Sequence, residues 1–363
     1  MGDLCLRFRI EFKGAEAVDL IPVESFNWQV ALIDDVTTPV RLRYGAGPTG
    51  REPVILCGGD ALIDFVPVKQ ANGAAAFVPR PGGAVLNAAT ALARLEQDVS
   101  FVGALSTDLF GDMLHDHMVR EGIGTANVSR SGDDSTLAFV SLADGEARYA
   151  FYDSASAGRL WPGLTGPLPA AEALHFGSLT LFADPPASAY VDLAEQASSR
   201  MVVSLDPNCR PSLVPDKEAY RRCIARVSTA SHIVRLSDED LAFLHPSASE
   251  EEVADGLLDG LTRLVIVSRG AEGASAWWAG GRVDVSAHEI DVQDSIGAGD
   301  TFHAGVLAAL SRAGRLRVEA LDRLDRASVE DVLAFGTAAA SLNCMESGCD
   351  PPGLNSVLEC LGE

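Results

Sequence analysis

Lysine is scarce in this sequence of 363 residues, which contains only Lys13, Lys69 and Lys217. None of them follows a glycine, and a Walker-A phosphate loop, which needs a Gly-Lys pair, is therefore excluded. Acidic side chains outnumber basic ones by 51 to 28, which gives a formal net charge of −23. Because phosphate backbones and anionic lipid surfaces attract concentrated positive charge, we expect neither nucleic acid nor a membrane as a partner.

Long apolar runs and closely spaced cysteine pairs are also missing. No run approaches the ~20 residues that span a bilayer, and the N-terminus has no apolar segment ending in a small-residue cleavage site. The seven cysteines form no Cys-x-x-Cys motif, which favours a reducing compartment over a disulfide-stabilised secreted protein. The length and the 47% hydrophobic content allow one large core, so we expect a globular cytoplasmic enzyme.

The first 52 residues differ from the rest of the chain. They show no clear hydrophobic periodicity and end in a turn-rich linker, so we predict a flexible or loosely docked extension over residues 1–52. This linker contains Gly45-x-Gly47-x-x-Gly50, which has the spacing of the dinucleotide-binding fingerprint. That motif works only between a strand and a helix, whereas here Pro48 interrupts it and a strand follows it. We therefore interpret the match as fortuitous.

Residues 53–363 are predicted to form one α/β domain, because short apolar runs alternate with helical stretches. The predicted strands are Val54–Cys57, Val99–Val102, Ala173–Phe176, Met201–Leu205, His232–Val234 and Leu264–Val267. The predicted helices include Ala84–Leu95, Gly111–Glu121, Ala187–Ala197, Lys217–Val227 and Glu250–Leu261. Nearly uninterrupted apolar strands separated by helices predict a mostly parallel sheet with both faces covered by helices. A ligand is then expected at the carboxyl ends of the strands.

Two antiparallel pieces interrupt this alternation. Leu137–Leu142 and Ala147–Tyr152 flank an Asp-Gly turn and predict a β-hairpin, and Phe65–Val68 with Ala75–Pro79 forms a second extended pair. We predict a small β-sheet lid from about residues 65–80 and 134–156. An ordinary hairpin at the edge of the main sheet is the alternative.

The most informative stretch runs from Asp294 to Gly305. Gly297, Ala298 and Gly299 precede Asp300, which opens an apolar helical run. Small residues at the start of a helix leave backbone N–H groups exposed, and such a turn holds an anion. A carboxylate inside that turn would repel a phosphate unless it removes a proton from the group that attacks the phosphate. The alternative is that Asp300 is only a helix N-cap.

Glycines open a second helix at Gly82-Gly83, and Asn87 follows one helical turn later. These mixed donors and acceptors suit a polyol, although close helix–sheet packing would explain the glycines equally well. A third stretch, Gly58–Asp64, follows the first strand of the domain and carries two carboxylates that can accept hydrogen bonds from hydroxyls.

The joint, ordered occurrence of these motifs with Asp206-Pro-Asn208-Cys-Arg210 and Ser268-Arg-Gly270-Ala-Glu-Gly273 resembles the ribokinase-like (PfkB) carbohydrate kinases. The resemblance covers about residues 54–360 and is strongest to bacterial fructokinases. It implies a ribokinase-like fold and an ATP-dependent kinase that transfers the γ-phosphoryl group to a sugar hydroxyl, with fructose or a similar ketose as the substrate.

The resemblance also implies roles for individual residues. Asp300 would be the catalytic base, with Gly297, Ala298 and Gly299 forming an anion hole. The residues expected to hold the sugar are Asp64, Gly82, Gly83, Asn87 and Arg210. Those expected near the nucleotide are Asn208, Ser237, Ser268, Gly270, Gly273 and Thr337.

ATP would bring Mg²⁺, with Asp240 as its candidate protein ligand, since Ser237-x-x-Asp240 stands where the family has Asn-x-x-Glu. The resemblance further implies a K⁺ site that maps onto Asp294, Ile296, Asn343 and Gly348. A second departure is Asp153, because fructokinases commonly have Phe-Tyr-Arg where this chain has Phe-Tyr-Asp. The loss of that cation weakens any inference that the substrate carries a carboxylate or phosphate.

Several alternatives stay open at the level of the sequence. Within the family they are a 2-keto-3-deoxygluconate kinase, a ribokinase or a nucleoside kinase. Outside it they are a non-catalytic sugar or nucleotide sensor on the same fold and a nicotinamide oxidoreductase, which would rest only on the misplaced glycine triplet. An exposed second sheet also makes a homodimer through the lid plausible.

Overall fold

A computed structural model of the chain describes residues 55–69, 75–143 and 146–362, together with four short strands among the first 54 residues. Those strands form two antiparallel pairs, β1 (Arg9–Ile10) with β2 (Val18–Asp19) and β3 (Ala31–Leu32) with β4 (Val40–Arg41). Most of the predicted extension lies outside the described residues. The glycine triplet of its linker and the turn of the predicted hairpin also lie outside them. The boundary at residue 52 and the flexibility of the extension stay predictions.

The remaining strands belong to two sheets. They are β5 (Ile55–Gly58), β6 (Leu62–Lys69), β7 (Ala75–Gly82), β8 (Val99–Ser106), β9 (Gly124–Ser131), β10 (Leu137–Ala143), β11 (Glu146–Tyr152), β12 (Ala173–Gly177), β13 (Val202–Asp206), β14 (Ile233–Ser237), β15 (Leu264–Ser268), β16 (Ala274–Trp278) and β17 (Gly281–Val285). The helices are α1 (Ala84–Arg94), α2 (Leu109–Arg120), α3 (Pro186–Ala197), α4 (Lys217–Ser228), α5 (Asp238–Leu244), α6 (Glu250–Leu258), α7 (Ala298–Arg312), α8 (Val318–Leu321), α9 (Arg326–Cys344) and α10 (Leu354–Leu361), with 3₁₀ turns at Ser178–Leu181 and Gly270–Glu272.

The main sheet has nine strands in the order β17-β16-β15-β14-β13-β12-β5-β8-β9. All neighbouring pairs from β9 to β15 are parallel, and only β16 and β17 are antiparallel. Apolar clusters cover both faces, with α1, α7 and α9 on one side and α3 and α4 on the other. Fully buried aromatics such as Phe101 and Phe176 each stabilise the fold by about 1.5–3 kcal/mol. The predicted mostly parallel α/β domain is confirmed.

The second sheet has four strands in the order β11-β10-β6-β7. Its two antiparallel hairpins are joined by parallel pairing of β10 with β6, so the edge-hairpin alternative is wrong. Phe65 stacks on Phe139 with ring centroids 4.5 Å apart, and Phe77 contacts Phe139 edge-on. These aromatic contacts across β6, β7 and β10 tie the strands into one separate small sheet.

Two helix ends differ from the predicted ones. Helix α2 begins at Leu109 rather than Gly111, because the Asp108 carboxylate accepts hydrogen bonds from the amides of Phe110 and Gly111. Helix α6 ends at Leu258, three residues early, where the chain turns at Gly260. Within the described part of the chain, no helix combines the length and apolar character that crossing a membrane requires.

Helices α7 and α9 approach each other closely at Gly305 and Gly336. A Cβ on Gly336 would lie 2.9 Å from the Phe302 carbonyl oxygen, whereas one on Gly256, which is exposed on α6, would meet nothing within 4 Å. We expect Gly336→Ala to lower the free energy of unfolding by roughly 1–2 kcal/mol, because overpacking exceeds the gain in helix propensity. Gly256→Ala should instead raise it by up to about 1 kcal/mol. Urea denaturation of both variants tests this, and equal effects at the two sites would contradict the close packing.

Candidate active site

A cavity of about 580 Å³ opens at the carboxyl ends of the main-sheet strands. Asp60 follows β5, Arg210 follows β13, and Asn87 and Asp300 lie near the starts of α1 and α7; all four line the cavity. Asp64 on β6 lines it as well, together with neighbouring apolar residues of the small sheet. The small sheet therefore covers the edge where a parallel sheet is expected to bind its ligand.

Asp300 lies in the first turn of α7 and is only 8% exposed. Its Oδ2 accepts a hydrogen bond from Asn87 Nδ2 at 2.9 Å, and its Oδ1 accepts one from Asn208 Nδ2 at 3.0 Å. The N-cap of α7 is Gly297 and has no side-chain hydrogen bond. Asp300 therefore does not cap the helix, and its carboxylate is oriented by two amide side chains instead.

Burial raises the pKa of Asp300 to about 6. The hydrogen bond from Asn87 and the charges of Arg210 and Arg235 oppose that rise, while the charge of Asp60 adds to it. The carboxylate is therefore ionised at neutral pH but is a stronger proton acceptor than an exposed aspartate.

The turn before Asp300 has the shape expected for an anion site. Gly297 adopts the left-handed conformation with φ 73°, and a Cβ there would lie 2.2 Å from the Sγ of Cys349. The amide of Ala298 donates to the Ser295 carbonyl at 3.2 Å. Among the described residues, the amides of Gly297 and Gly299 have no acceptor, so these two N–H groups are available to an anion.

Three of the predicted sugar-binding residues, Asp64, Gly82 and Gly83, lie where β6 and β7 meet the start of α1. A Cβ on Gly82 would lie 2.2 Å from Asp64 Oδ2, and Gly83, with φ 104°, would meet the Asp60 carbonyl oxygen at 2.8 Å. The glycines thus let two acidic residues approach the start of α1. Burial, together with the nearby charge of Asp300, raises the pKa of Asp64 to about 7.

The loop after β13 carries Asn208 and Arg210. Asn208 has a left-handed φ of 43°, and its side chain holds Asp300. The expected position of Asn208 near the nucleotide stays a prediction beside this contact. The guanidinium of Arg210 donates to the Cys209 carbonyl at 2.9 Å and lines the cavity.

Three of the predicted nucleotide residues lie at the carboxyl ends of β14 and β15. Ser237 and Ser268 are register partners, and Gly270, with φ 50°, starts the 3₁₀ turn that follows. Gly273 has φ 89°, and a Cβ there would lie 2.1 Å from the Val285 carbonyl oxygen, so only glycine fits. Thr337 differs, because its buried hydroxyl bonds to carbonyls of its own helix α9. The geometry therefore gives its assignment near adenine no support.

Asp240 forms a capping box with Ser237 at the start of α5. Its Oδ2 accepts from both the amide and the hydroxyl of Ser237, and its Oδ1 accepts from the Cys209 amide at 2.6 Å. This buried carboxylate anchors the loop that carries Asn208. Direct coordination of a metal would require it to give up some of these bonds.

The four residues mapped onto a monovalent-cation site do come together. The Asp294 carboxylate accepts from the amides of Ile296 and Gly348, and Asn343 Nδ2 donates to the Ile296 carbonyl at 2.9 Å. Asn343 Oδ1 is buried and has no hydrogen-bond partner among the described residues. A buried oxygen with a free lone pair fits a cation held by oxygen ligands.

Three residues of the site were missed or left without a role. Asp60 lines the cavity and caps α1 by accepting from the amides of Ala84 and Val85. Its signal was the Gly-Gly-Asp that directly follows the first strand of the domain. Asp206 and Arg235 form a buried ion pair of 2.9 Å beneath the site. The signal for Arg235 was a lone arginine in an otherwise apolar strand.

Comparison with known proteins agrees with this geometry. The sequence model of the pfkB family carbohydrate kinases matches residues 53–355. A fructokinase from Rhizobium leguminosarum bv. trifolii is 36% identical over 282 residues, which cover 77% of this chain and 86% of that protein. Fructokinase-1 from Oryza sativa subsp. japonica is 33% identical over 317 residues, covering 83% and 95% of the two chains.

Solved structures give the same answer for the fold. Fructokinase from Xylella fastidiosa with bound ATP superimposes with a TM-score of 0.78 at 29% identity, covering 85% of this chain and 98% of that one. Fructokinase from Vibrio cholerae O395, in a form with fructose, ADP and calcium ion bound, has a TM-score of 0.74 at 25% identity, covering 85% and 99%. The chain therefore belongs to the pfkB family of carbohydrate kinases and is an ATP-dependent enzyme of that class.

Proposed function

We propose that the protein transfers the γ-phosphoryl group of ATP to a hydroxyl of a ketose, with fructose as the preferred acceptor. The observation that carries the proposal is a buried, oriented carboxylate, Asp300, which lines one cavity with Gly297, and the open backbone amides of Gly297 and Gly299 in the turn before it. The similar proteins support the choice of substrate, because the relative from Rhizobium is a fructokinase and the Vibrio structure holds fructose.

Asp300 would accept the proton of the attacking hydroxyl. In a loose phosphoryl-transfer transition state the proton leaves late, so holding the hydroxyl in line contributes more than extreme basicity. Asn87 and Asn208 donate to both oxygens of Asp300, and this fixes the direction of the remaining lone pairs. The amides of Gly297 and Gly299 would then stabilise negative charge on the transferred group.

The charges that line the cavity favour a neutral sugar over a sugar acid. Among the described residues, the lining contains the acidic side chains of Asp60, Asp64, Asp294 and Asp300, and one guanidinium, that of Arg210. An anionic substituent would meet net repulsion there, whereas sugar hydroxyls can donate to the carboxylates. This balance supports fructose over 2-keto-3-deoxygluconate, in line with the aspartate at position 153.

Two cations complete the proposal. The described residues contain no cluster of three His, Cys, Asp or Glu side chains able to hold a metal ion, so Mg²⁺ would be held mainly by ATP phosphates and water. Mg²⁺ would neutralise charge on the phosphates. The free Oδ1 of Asn343 supports a K⁺ beside the anion-binding turn, where Asp294, Ile296 and Gly348 would complete the site.

Two further expectations are part of the proposal. One is a cytoplasmic location, which rests on the cysteine pattern. The other is a homodimer formed through the small sheet, whose Phe77 and Tyr152 side chains are 47% and 64% exposed. Both stay predictions.

Replacing Asp300 by Asn tests the base directly. The amide preserves the size of the side chain but cannot accept the proton, so we expect kcat to fall by about 10³-fold. ATP should still bind, as measured by calorimetry. Asp325→Asn is the matched control, because Asp325 is an aspartate that only caps a helix, α9, and asparagine caps equally well. Activity above about a tenth of the wild-type value in Asp300→Asn would refute the assignment.

The pH dependence follows from the raised pKa of Asp300. Below a pH of about 6 the carboxyl is protonated and cannot accept the hydroxyl proton, so kcat/KM should fall about tenfold per pH unit. Above that pH the carboxylate is ionised and kcat/KM should level off. Steady-state assays from pH 5 to 9, with circular dichroism to verify folding, test this. A flat profile down to pH 5 in the folded enzyme would exclude Asp300 as the titrating base.

A panel of acceptors tests the sugar. With ADP formation as the readout, fructose should give a kcat/KM at least about tenfold above ribose, 2-keto-3-deoxygluconate and nucleosides, since unmatched hydroxyls leave buried polar groups unpaired. If the sugar acid is the best acceptor, the argument from cavity charge is wrong. If none of these acceptors is phosphorylated, a non-catalytic sensor is favoured.

A further inference from the structure

The guanidinium of Arg235 is buried directly beneath the proposed anion-binding turn. Arg235 lies on β14, and the residue is only 6% exposed. Nη1 donates to Asp206 Oδ2 at 2.9 Å, and Nη2 donates to the Ser268 hydroxyl at the end of β15. A buried arginine is costly unless it is paired, so this position in a central strand needs an explanation beyond packing.

The contact between Arg235 and Gly299 gives part of that explanation. The point where a Cβ on Gly299 would sit is 3.0 Å from Nη2 and 3.2 Å from Nη1 of Arg235. All three atoms nearest to that point belong to the guanidinium, which therefore lies closer to the turn than Asp206 does. The ion pair is a dipole with its positive end towards Gly299.

A continuous path of hydrogen bonds leads from the same guanidinium to Asp300. Asp206 accepts from Arg235 through Oδ2 and from the amide of Asn208 through Oδ1, at 3.2 Å. The side chain of Asn208 in turn donates to Asp300. Ser268, Arg235, Asp206, Asn208 and Asp300 thus link the predicted nucleotide strands to the catalytic carboxylate.

We propose that Arg235 is a positioning residue for phosphoryl transfer, which orients Asp300 through Asp206 and Asn208 and places a fixed positive charge under the anion-binding turn. It does not touch the sugar or the transferred group. The proposal rests on the kinase function proposed above and adds to it a residue that no sequence motif had assigned.

Two histidines lie close to Arg235, and neither carries a positive charge. His175 and His303 stack with centroids 4.8 Å apart, and burial lowers the pKa of His175 to about 4 and that of His303 well below its usual value, so both are neutral. The negative charges of Asp206, Asp240 and Asp300 raise the pKa of Arg235. Nε of Arg235 is buried without a partner in the described part of the chain.

The test compares Arg235→Met, which removes the charge, with Arg235→Lys, which keeps it. For Arg235→Met we expect kcat to fall by about 100-fold with the KM for sugar changed less than about threefold, as for loss of positioning. Because Arg235 lowers the pKa of Asp300, the acid limb of kcat/KM should move to higher pH in Arg235→Met. Arg235→Lys should restore the limb and recover about tenfold in kcat.

A double-mutant cycle with Asn208 tests the path itself. Asn208→Gly removes the side chain and tolerates the left-handed φ. If Arg235 acts through Asn208, Arg235→Met should cost less than about tenfold on the Asn208→Gly background. A fully multiplicative effect would overturn the proposed path.

The matched control is Arg263→Met. Arg263 directly precedes β15, at the opposite end of that strand from the site, and forms an ion pair with Asp322. We expect a lower melting temperature with unchanged kcat there. An Arg235→Met enzyme within threefold of wild type, or an equal loss in Arg263→Met, would overturn the proposal. If Arg235→Met does not fold, Arg235→Met/Asp206→Asn, which removes both charges, takes its place. If the proposed kinase function itself is wrong, the wild-type enzyme will phosphorylate no sugar in the acceptor panel, and this result is distinct from an Arg235→Met enzyme that stays active.

Discussion

The site depends on one carboxylate being buried without losing its orientation. Asp300 comes from α7, Asn87 from α1 and Asn208 from the loop after β13, so three separate elements must meet before the carboxylate is fixed. The hydrogen bond from Asn87 opposes the effect of burial, which would otherwise favour the protonated acid. The close packing of α7 against α1 and α9 is therefore part of the chemistry as well as of the core.

The fold could be predicted from the sequence because its signals are local and repeated. Uninterrupted apolar strands between helices predict a parallel sheet, and the Gly-Ala-Gly-Asp and Gly-Gly motifs identified the helix starts that carry Asp300 and Asn87. The joining of two distant hairpins into one sheet was harder to predict, because the parallel pairing of β10 with β6 is a tertiary contact that no local sequence pattern indicates. Helix α2 shows the same limit at small scale, since a single capping aspartate moved its start by two residues.

The roles of individual residues were harder to predict where a side chain serves another protein group. Asn208 holds Asp300 and Asp240 anchors the Cys209 amide, while their expected roles at the nucleotide and at magnesium stay predictions. Both have the polarity of ligand-binding residues, and only the geometry shows which partner they satisfy. Thr337 illustrates the opposite case, because a threonine within a helix can satisfy its hydroxyl on the preceding turn. Asp64, Gly83 and Arg210 line the cavity as expected, because each lies near a strand end or a helix start at the edge of the sheet where a ligand is predicted.

An acidic cavity is an unusual place to bring a polyanion such as ATP, and the distribution of charge resolves the difficulty. Asp60 and Asp64 lie near the start of α1, where hydroxyls are expected, and Asp294 belongs to the proposed cation site. The open amides of Gly297 and Gly299 and the start of α7, with the guanidinium of Arg235 beneath them, lie where phosphates are expected. We therefore expect the acceptor and the phosphoryl donor to occupy different parts of the site, with Asp300 at the boundary between them.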